Sequence, residues 1–317
     1  MKKIFIFPGQ GSQTVGMGKE LFDSFAEAKE VFQEVDNALG QNLSKIIFEG
    51  PQEELTLTEN AQPALMATSM AVLKVLLKQS GKDISFFADY VAGHSLGEYS
   101  ALCAAGSFNI SQTAKLLKLR GLSMQDAVPK GKGGMAAVIG LSFAQVEELC
   151  TKAHSESEPC ELANDNSDGQ VVISGSAAGI DKAESIAKEM GAKRYLKLPV
   201  SAPFHSSLMK PAQEKMRAAL EAETIKIPVI PVIANISAAA TSGPDEIREL
   251  LVEQVTGRVR WRESVINMSE RYDITSATEI GAGKVLSGLV KRIVANIETS
   301  NIEKPADIEQ FLKNKGL

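Results

Sequence analysis

The chain has 317 residues, 44% hydrophobic and 23% charged, the balance of a soluble globular protein large enough for a big core and a second, smaller unit. Its 34 basic and 39 acidic side chains give a net charge of −5, which argues against a dedicated nucleic-acid or anionic-membrane binder, and no apolar run approaches the roughly 18 residues a membrane helix needs. Cys103, Cys150 and Cys160 are odd in number and lack C-x-x-C or finger spacing, so neither a disulfide framework nor a zinc site is expected, and the protein is expected in the reducing cytoplasm.

Residues 3–7 (KIFIF) predict a buried strand that runs into the loop Pro8-Gly9-Gln10-Gly11-Ser12-Gln13, too soon for a signal-peptide core. The loop's glycines leave backbone amides open, as in a ligand cradle or a plain tight turn. It is not a dinucleotide fingerprint, because Thr14 stands where the third glycine belongs. Apolar positions 25, 28, 32, 35 and 39 predict a helix over 22–39, and a second spans 63–77 with Pro63 in its first turn. An apolar run over 86–92 then reads as a strand ending in Gly93-His94-Ser95-Leu96-Gly97, with a helix over 96–105. Strand, sharp turn and helix around G-x-S-x-G form a nucleophile elbow, which exposes a serine hydroxyl beside the amides that open the helix. The plain alternative is a small-residue turn where strand and helix pack closely. Strands alternating with helices predict an α/β core with a parallel sheet.

In the helix expected over 111–127, Arg120 falls in the apolar stripe with Thr113, Leu116, Leu117 and Met124. Such an arginine either snorkels or pairs with an internal carboxylate such as Glu98 or Asp126, or waits for an anionic substrate group that its planar fork can bind.

Residues 129–134 read as a linker. The order strand 135–139, helix 142–154, strands 160–164 and 170–174, helix 177–190 and strand 194–198 is βαββαβ, the pattern of a ferredoxin-like unit. The expected organisation is therefore a large α/β-hydrolase-like domain of residues 1–128 and 199–317, with a small ferredoxin-like domain, 129–198, inserted into it. The polar stretch 164–169 is a hairpin connection whose side chains could also face a cleft. Beyond it come a proline-stiffened loop at 199–207, a helix at 208–222, an edge or interrupted strand at 227–236, a helix at 247–255, a strand at 273–280, a helix at 284–297 and a peripheral C-terminal helix. Gly283-Lys284 lacks P-loop spacing.

A serine hydroxyl needs a base, most often histidine. Of the three histidines, His154 lies in a hydrophilic run and reads as a surface residue, and His94 next to the serine reads as structural. His205 remains, in a stiff loop at the mouth of the domain, so Ser95 and His205 are the candidate catalytic pair. The chain order does not fit the Ser, acid, His sequence of α/β-hydrolases, and a dyad with the imidazole held by a backbone carbonyl is the economical arrangement.

Phe7-Pro8-Gly9-Gln10-Gly11-Ser12-Gln13, Gln62-Pro63-Ala64, Gly93-His94-Ser95-Leu96-Gly97-Glu98, Arg120-Gly121 with Met124-Gln125, Gln170-Val171-Val172-Ile173-Ser174-Gly175 and Pro203-Phe204-His205-Ser206 together resemble the motif series of malonyl-CoA:acyl carrier protein transacylases, over nearly the whole chain. The resemblance implies Ser95 as nucleophile, His205 as base and Arg120 as clamp for the malonyl carboxylate. It further implies that the amides of Gln10 and Leu96 form the oxyanion hole, that the main chain around Gln254 orients His205, and that Phe204 marks a malonyl-selecting member. The one departure is Gly257-Arg258, where a proline is expected before Val259. The implied substrates are malonyl-CoA and acyl carrier protein bearing its phosphopantetheine arm, with no metal or other cofactor. An acidic carrier calls for a local cationic surface, with candidates Lys193, Arg194, Lys197, the arginines 258, 260 and 262, Lys284, Lys291 and Arg292. Rival readings are a serine esterase or thioesterase, a malonyltransferase serving a polyketide pathway, and a catalytically silent carrier-docking module.

Overall fold

The computed structural model describes residues 1–200 and 202–317; Ser201, in the loop at 199–207, lies outside them. The alternation in the first strand organises the larger part. In β1 (Lys2–Phe7), Phe5 and Phe7 point to one face and Ile4 and Ile6 to the other, and each pair enters a different buried cluster. A strand buried on both faces belongs in the middle of a parallel sheet. β1 indeed lies between β2 (Tyr90–Gly93) and β9 (Ile274–Ile280) in the six-stranded order β10-β9-β1-β2-β7-β8, completed by β10 (Glu298–Ile302), β7 (Val232–Ile233) and β8 (Ala240–Thr241). All neighbours run parallel except β7 and β8.

A second, antiparallel sheet has the order β4-β5-β3-β6, from β3 (Gly133–Ile139), β4 (Cys160–Ser167), β5 (Gln170–Ser176) and β6 (Arg194–Lys197). With the helices Phe143–Ala153 and Ala177–Glu189 packed on it around a separate core, this is the ferredoxin-like unit of an α/β fold. β4 meets the larger part through Asp165 N–H to Val259 O at 3.0 Å, Val259 N–H to Ala163 O at 2.8 Å, and the fully buried Asp165 carboxylate paired with Arg262.

Several local readings change. The helix expected over 22–39 is two, Lys19–Ser24 and Ala26–Leu39, broken where Phe25 is extended at φ −132°. After two short helices, Leu43–Glu49 and Gln52–Thr56, the helix expected over 63–77 begins at Thr58, so Pro63 sits inside it rather than in its first turn, and lacks the N–H an interior residue would donate. Phe87 closes a short helix, Ile84–Phe87, leaving the elbow strand only residues 90–93. Of 227–236 only Val232–Ile233 pairs as strand, and it lies inside the sheet, not at its edge. The helix expected to reach Ile297 stops at Ile293, and the chain then adds β10 as the outer strand. No described helix is long and apolar enough to cross a membrane.

Candidate active site

The elbow is held by close approach of backbone to backbone. A Cβ on Gly93 would lie 1.9 Å from Gly97 O, and one on Gly97 would lie 2.3 Å from Phe7 O, so both positions require glycine. Between them Ser95 adopts φ 54°, ψ −113°, a conformation that costs on the order of 1–3 kcal/mol and persists only where its surroundings enforce it. Asn235 supplies part of that enforcement: its Oδ1 accepts the Ser95 N–H at 2.7 Å and its Nδ2 donates to Gly93 O at 2.7 Å. Leu96 opens the helix Leu96–Ala104, so its N–H has no intrahelical acceptor.

His205 also has positive φ, 57°. Its Nε2 lies 2.8 Å from Ser95 Oγ, and its Nδ1 lies 2.8 Å from Gln254 O and 3.1 Å from Gly257 O. Two carbonyls can only accept, so Nδ1 carries the proton and Nε2 offers its lone pair to the serine. Burial, reinforced by the charge of Arg120, pushes the imidazole down to about 3, which keeps it neutral at working pH.

Arg120 is 1% exposed, within the helix Ile110–Asp126. That helix packs tightly on Thr58–Ser80 because Gly121 has no side chain: a Cβ there would meet the Glu59 Cα at 2.6 Å. The approach delivers the guanidinium to Gln62 Oε1 at 2.8 Å, Gln254 Oε1 at 2.9 Å and Ser95 Oγ at 3.1 Å, with the Tyr99 ring 5.7 Å away. These partners are neutral. Among the described residues no carboxylate contacts Arg120, and its buried Nε has no partner. Gln254 turns its other amide end to the buried Glu98, Nε2 to Oε2 at 2.7 Å.

Ser95, His205 and Arg120 open onto a cavity of 290 Å³ lined also by Gln10, His94, Met124, Asn164 and Phe204. A neighbouring cleft of 410 Å³ shares Gln10, Thr56, Pro199 and Val200 with it and adds Glu53, Lys130 and Gly131. No cluster of described residues has the makings of a metal site.

A model of the acyl transferase domain matches residues 4–295. A malonyl CoA-acyl carrier protein transacylase of Bacillus subtilis (strain 168) is 48% identical over 98% of this chain and 96% of its own length. The chain belongs to the malonyl CoA-acyl carrier protein transacylase family. An acyl-carrier-protein S-malonyltransferase from Bartonella henselae, at 51% identity, superposes with a TM-score of 0.96 over 100% of both chains. Another solved relative, a malonyl-transacylase in complex with the acyl-carrier protein of a type II PKS, is 38% identical with a TM-score of 0.94, over 99% of this chain and 100% of its own.

Within this transacylase fold, Ser95, His205, Arg120, Gln10 and Phe204 all line the cavity, Leu96 follows Ser95 in the chain, and Gln254 is hydrogen-bonded to Arg120 and His205. Arg120 neither snorkels nor pairs directly with Glu98 or Asp126. Asp168-Gly169 closes a hairpin, and the same stretch faces the cleft: Asn164 lines the cavity, and Asn166 Oδ1 meets His94 Nε2 at 2.8 Å. His154 is exposed. Sequence reasoning missed the side chains of Asn235 and Gln254 and the carbonyl of Gly257; Glu98, one of the two carboxylates considered as a direct partner of Arg120, reaches it only through Gln254. At Gly257, within the departing Gly257-Arg258 pair, a Cβ would lie 2.4 Å from the flexible end of Ile236, Cδ1, and 2.9 Å from Glu253 O, so a side chain there would require its neighbours to shift.

Proposed function

We propose that this protein transfers the malonyl group from malonyl-CoA to the phosphopantetheine thiol of acyl carrier protein, through an O-malonyl ester of Ser95, and so supplies extender units for fatty acid synthesis. The observation that carries this reading is the buried Arg120 guanidinium, held by neutral partners and 3.1 Å from Ser95 Oγ. A buried cation without a carboxylate is stabilised by an anionic ligand, and its closeness to the nucleophile suits an acyl group whose carboxylate is one methylene from the reacting carbonyl.

Neutral His205 takes the Ser95 proton at Nε2 as Oγ attacks the thioester carbonyl. The tetrahedral oxyanion is received by the amides of Gln10 and Leu96. Collapse expels the thiolate of coenzyme A, which takes the proton from the imidazolium, whose Nδ1–H stays on the carbonyls of Gln254 and Gly257. The carrier thiol then gives its proton to Nε2 and attacks the serine ester, and Ser95 leaves with that proton. Thiolates leave readily, so a dyad suffices. Phe204 forms an apolar wall beside the acyl group, and the neighbouring cleft receives the pantetheine arm. An uncharged acyl group would leave the guanidinium unmet, which is the basis of selectivity.

Carrier docking is transient and electrostatic. Of the candidate cations, Lys197 is paired with Asp181 and Glu184, Arg258 and Arg260 with Glu263, and Arg262 with Asp165. Lys193, Arg194, Lys284, Lys291 and Arg292 have no carboxylate partner among the described residues, and we assign docking to them. The three cysteines are unpaired and buried, in keeping with work in the cytoplasm. The two-part division at 128/129 and 198/199 suits this chemistry, since the cavity draws Ser95 from one part and Asn164 from the other.

The reading is tested by isotope exchange. A ping-pong enzyme moves label from free coenzyme A into malonyl-CoA with no carrier present; absence of exchange in an enzyme that still transfers malonyl to carrier would exclude the acyl-serine route.

A further inference from the structure

Glu98 is a buried ionisable group that the mechanism above does not use. It lies on the elbow helix, is 3% exposed, and accepts the Gln254 Nε2–H at 2.7 Å and the Asn235 N–H at 3.0 Å through one oxygen. A carboxylate can only accept, so it fixes the orientation of the Gln254 amide: Nε2 toward Glu98, and Oε1 therefore toward Arg120 at 2.9 Å. The amide is a polarised bridge between the one buried anion and the one buried cation of the site.

We propose that Glu98 is the resident counter-ion of Arg120, acting through Gln254, and that it takes up one proton from the medium when the malonyl carboxylate docks on the guanidinium. The proposal rests on the function assigned above. In the empty site the two charges cancel. An incoming carboxylate would leave a net negative charge among the buried Arg120, Gln254 and Glu98, which is costly unless one anion is neutralised. The substrate carboxylate touches the guanidinium directly, and Glu98 reaches it only through an amide, so Glu98 is the anion to give up its charge. No bond forms except the new O–H.

The groups around Glu98 leave it as the one to titrate. Among the described residues, Arg120, from the neighbouring helix, is the one charge acting on it, and guanidinium stays protonated. Tyr99 on the same helix is pushed up to about 12, and His205, from the loop that faces the elbow, down to about 3. Burial lowers His94 as well. All three are therefore neutral at working pH. Burial raises Glu98 itself to about 7, only partly offset by Asn235, Gln254 and Arg120, so a second nearby anion is enough to protonate it. Glu98 does not touch substrate; it is a positioning residue that tunes how Arg120 receives it.

The test is calorimetry on the full-length Ser95→Ala variant at pH 8, titrating malonyl-CoA or acetyl-CoA in two buffers of different ionisation enthalpy. The expected result is uptake of about one proton per malonyl-CoA and none for acetyl-CoA, with malonyl-CoA affinity rising as pH is lowered from 8.5 toward 7 by up to about tenfold per pH unit. Adding Glu98→Gln should abolish the uptake and flatten the pH dependence, effects that a purely structural glutamate would not produce. Malonyl-CoA binding without proton uptake, or uptake that survives Glu98→Gln, would overturn the proposal. Should Glu98→Gln not fold, the proton count in the Ser95→Ala protein decides alone. Failure to bind malonyl-CoA at all would instead overturn the transferase reading, and this proposal with it.

Discussion

His205 Nε2 meets Ser95 Oγ at 2.8 Å while both residues hold positive φ, 57° and 54°, values that side-chain-bearing residues adopt only under constraint. The constraint is visible on each side: glycines and Asn235 around the serine, and the carbonyls of Gln254 and Gly257 behind the imidazole. Strain placed at both members of a hydrogen-bonded pair fixes their mutual geometry before substrate arrives. Replacing His205 with alanine is expected to slow acylation of Ser95 by about 10²–10⁴-fold without unfolding the protein, read by single-turnover acylation beside a thermal melt.

Arg120→Ala is expected to lower the ratio of kcat/KM for malonyl-CoA over acetyl-CoA by about 100-fold, since a charge-assisted pair is lost for one substrate only. Competition between the two thioesters measures this ratio. An unchanged ratio would remove Arg120 from the clamp role.

The elbow glycines separate a steric requirement from a general one. Gly93→Ala is expected to destabilise the fold by about 3 kcal/mol or more, because its Cβ would lie 1.9 Å from Gly97 O. Gly134→Ala, where a Cβ meets nothing within 4 Å and φ is not positive, should shift stability by about 1 kcal/mol or less. Urea denaturation of the two variants gives the comparison.

Burial holds the His205 imidazole near 3, so the base is available well below the ordinary histidine range. Modification of Ser95 by phenylmethanesulfonyl fluoride, a neutral reagent, should show no inflection near pH 6.5 as the pH falls from 8 to 5. The depressed value also has a stability consequence: the unfolded chain binds this proton from about 6.5 downward and the folded chain only near 3, so the contribution of His205 is present above 6.5 and is lost as pH falls toward 3. A midpoint near 6.5 in the modification rate would contradict the buried, neutral imidazole.

How much could be read beforehand depended on whether the signal was local. KIFIF, the G-x-S-x-G turn and the inward Arg120 are each set by residues close in sequence, and periodicity or turn chemistry exposes them. The βαββαβ order was likewise legible from alternating short segments. The missed features depend on distant partners. Glu98 meets Asn235 across 137 positions and Gln254 across 156, and nothing near any of them marks the contact. Residues 298–302 become a strand because β9 offers a free edge, and Val232–Ile233 pairs for two residues after Pro231, which accepts the Val91 N–H but has no N–H of its own to donate. Phe25 breaks a helix whose periodicity continues through it, since the break turns Phe22 and Phe32 onto the same aromatic cluster with Phe48.

The most direct measurement is intact-protein mass spectrometry after brief exposure to malonyl-CoA, for the wild type and Ser95→Ala, followed by a chase with carrier protein bearing its phosphopantetheine arm. The account predicts one malonyl adduct that requires Ser95 and passes to the carrier. An adduct that forms in Ser95→Ala, or that decays to free malonate at the same rate with and without carrier, would contradict it.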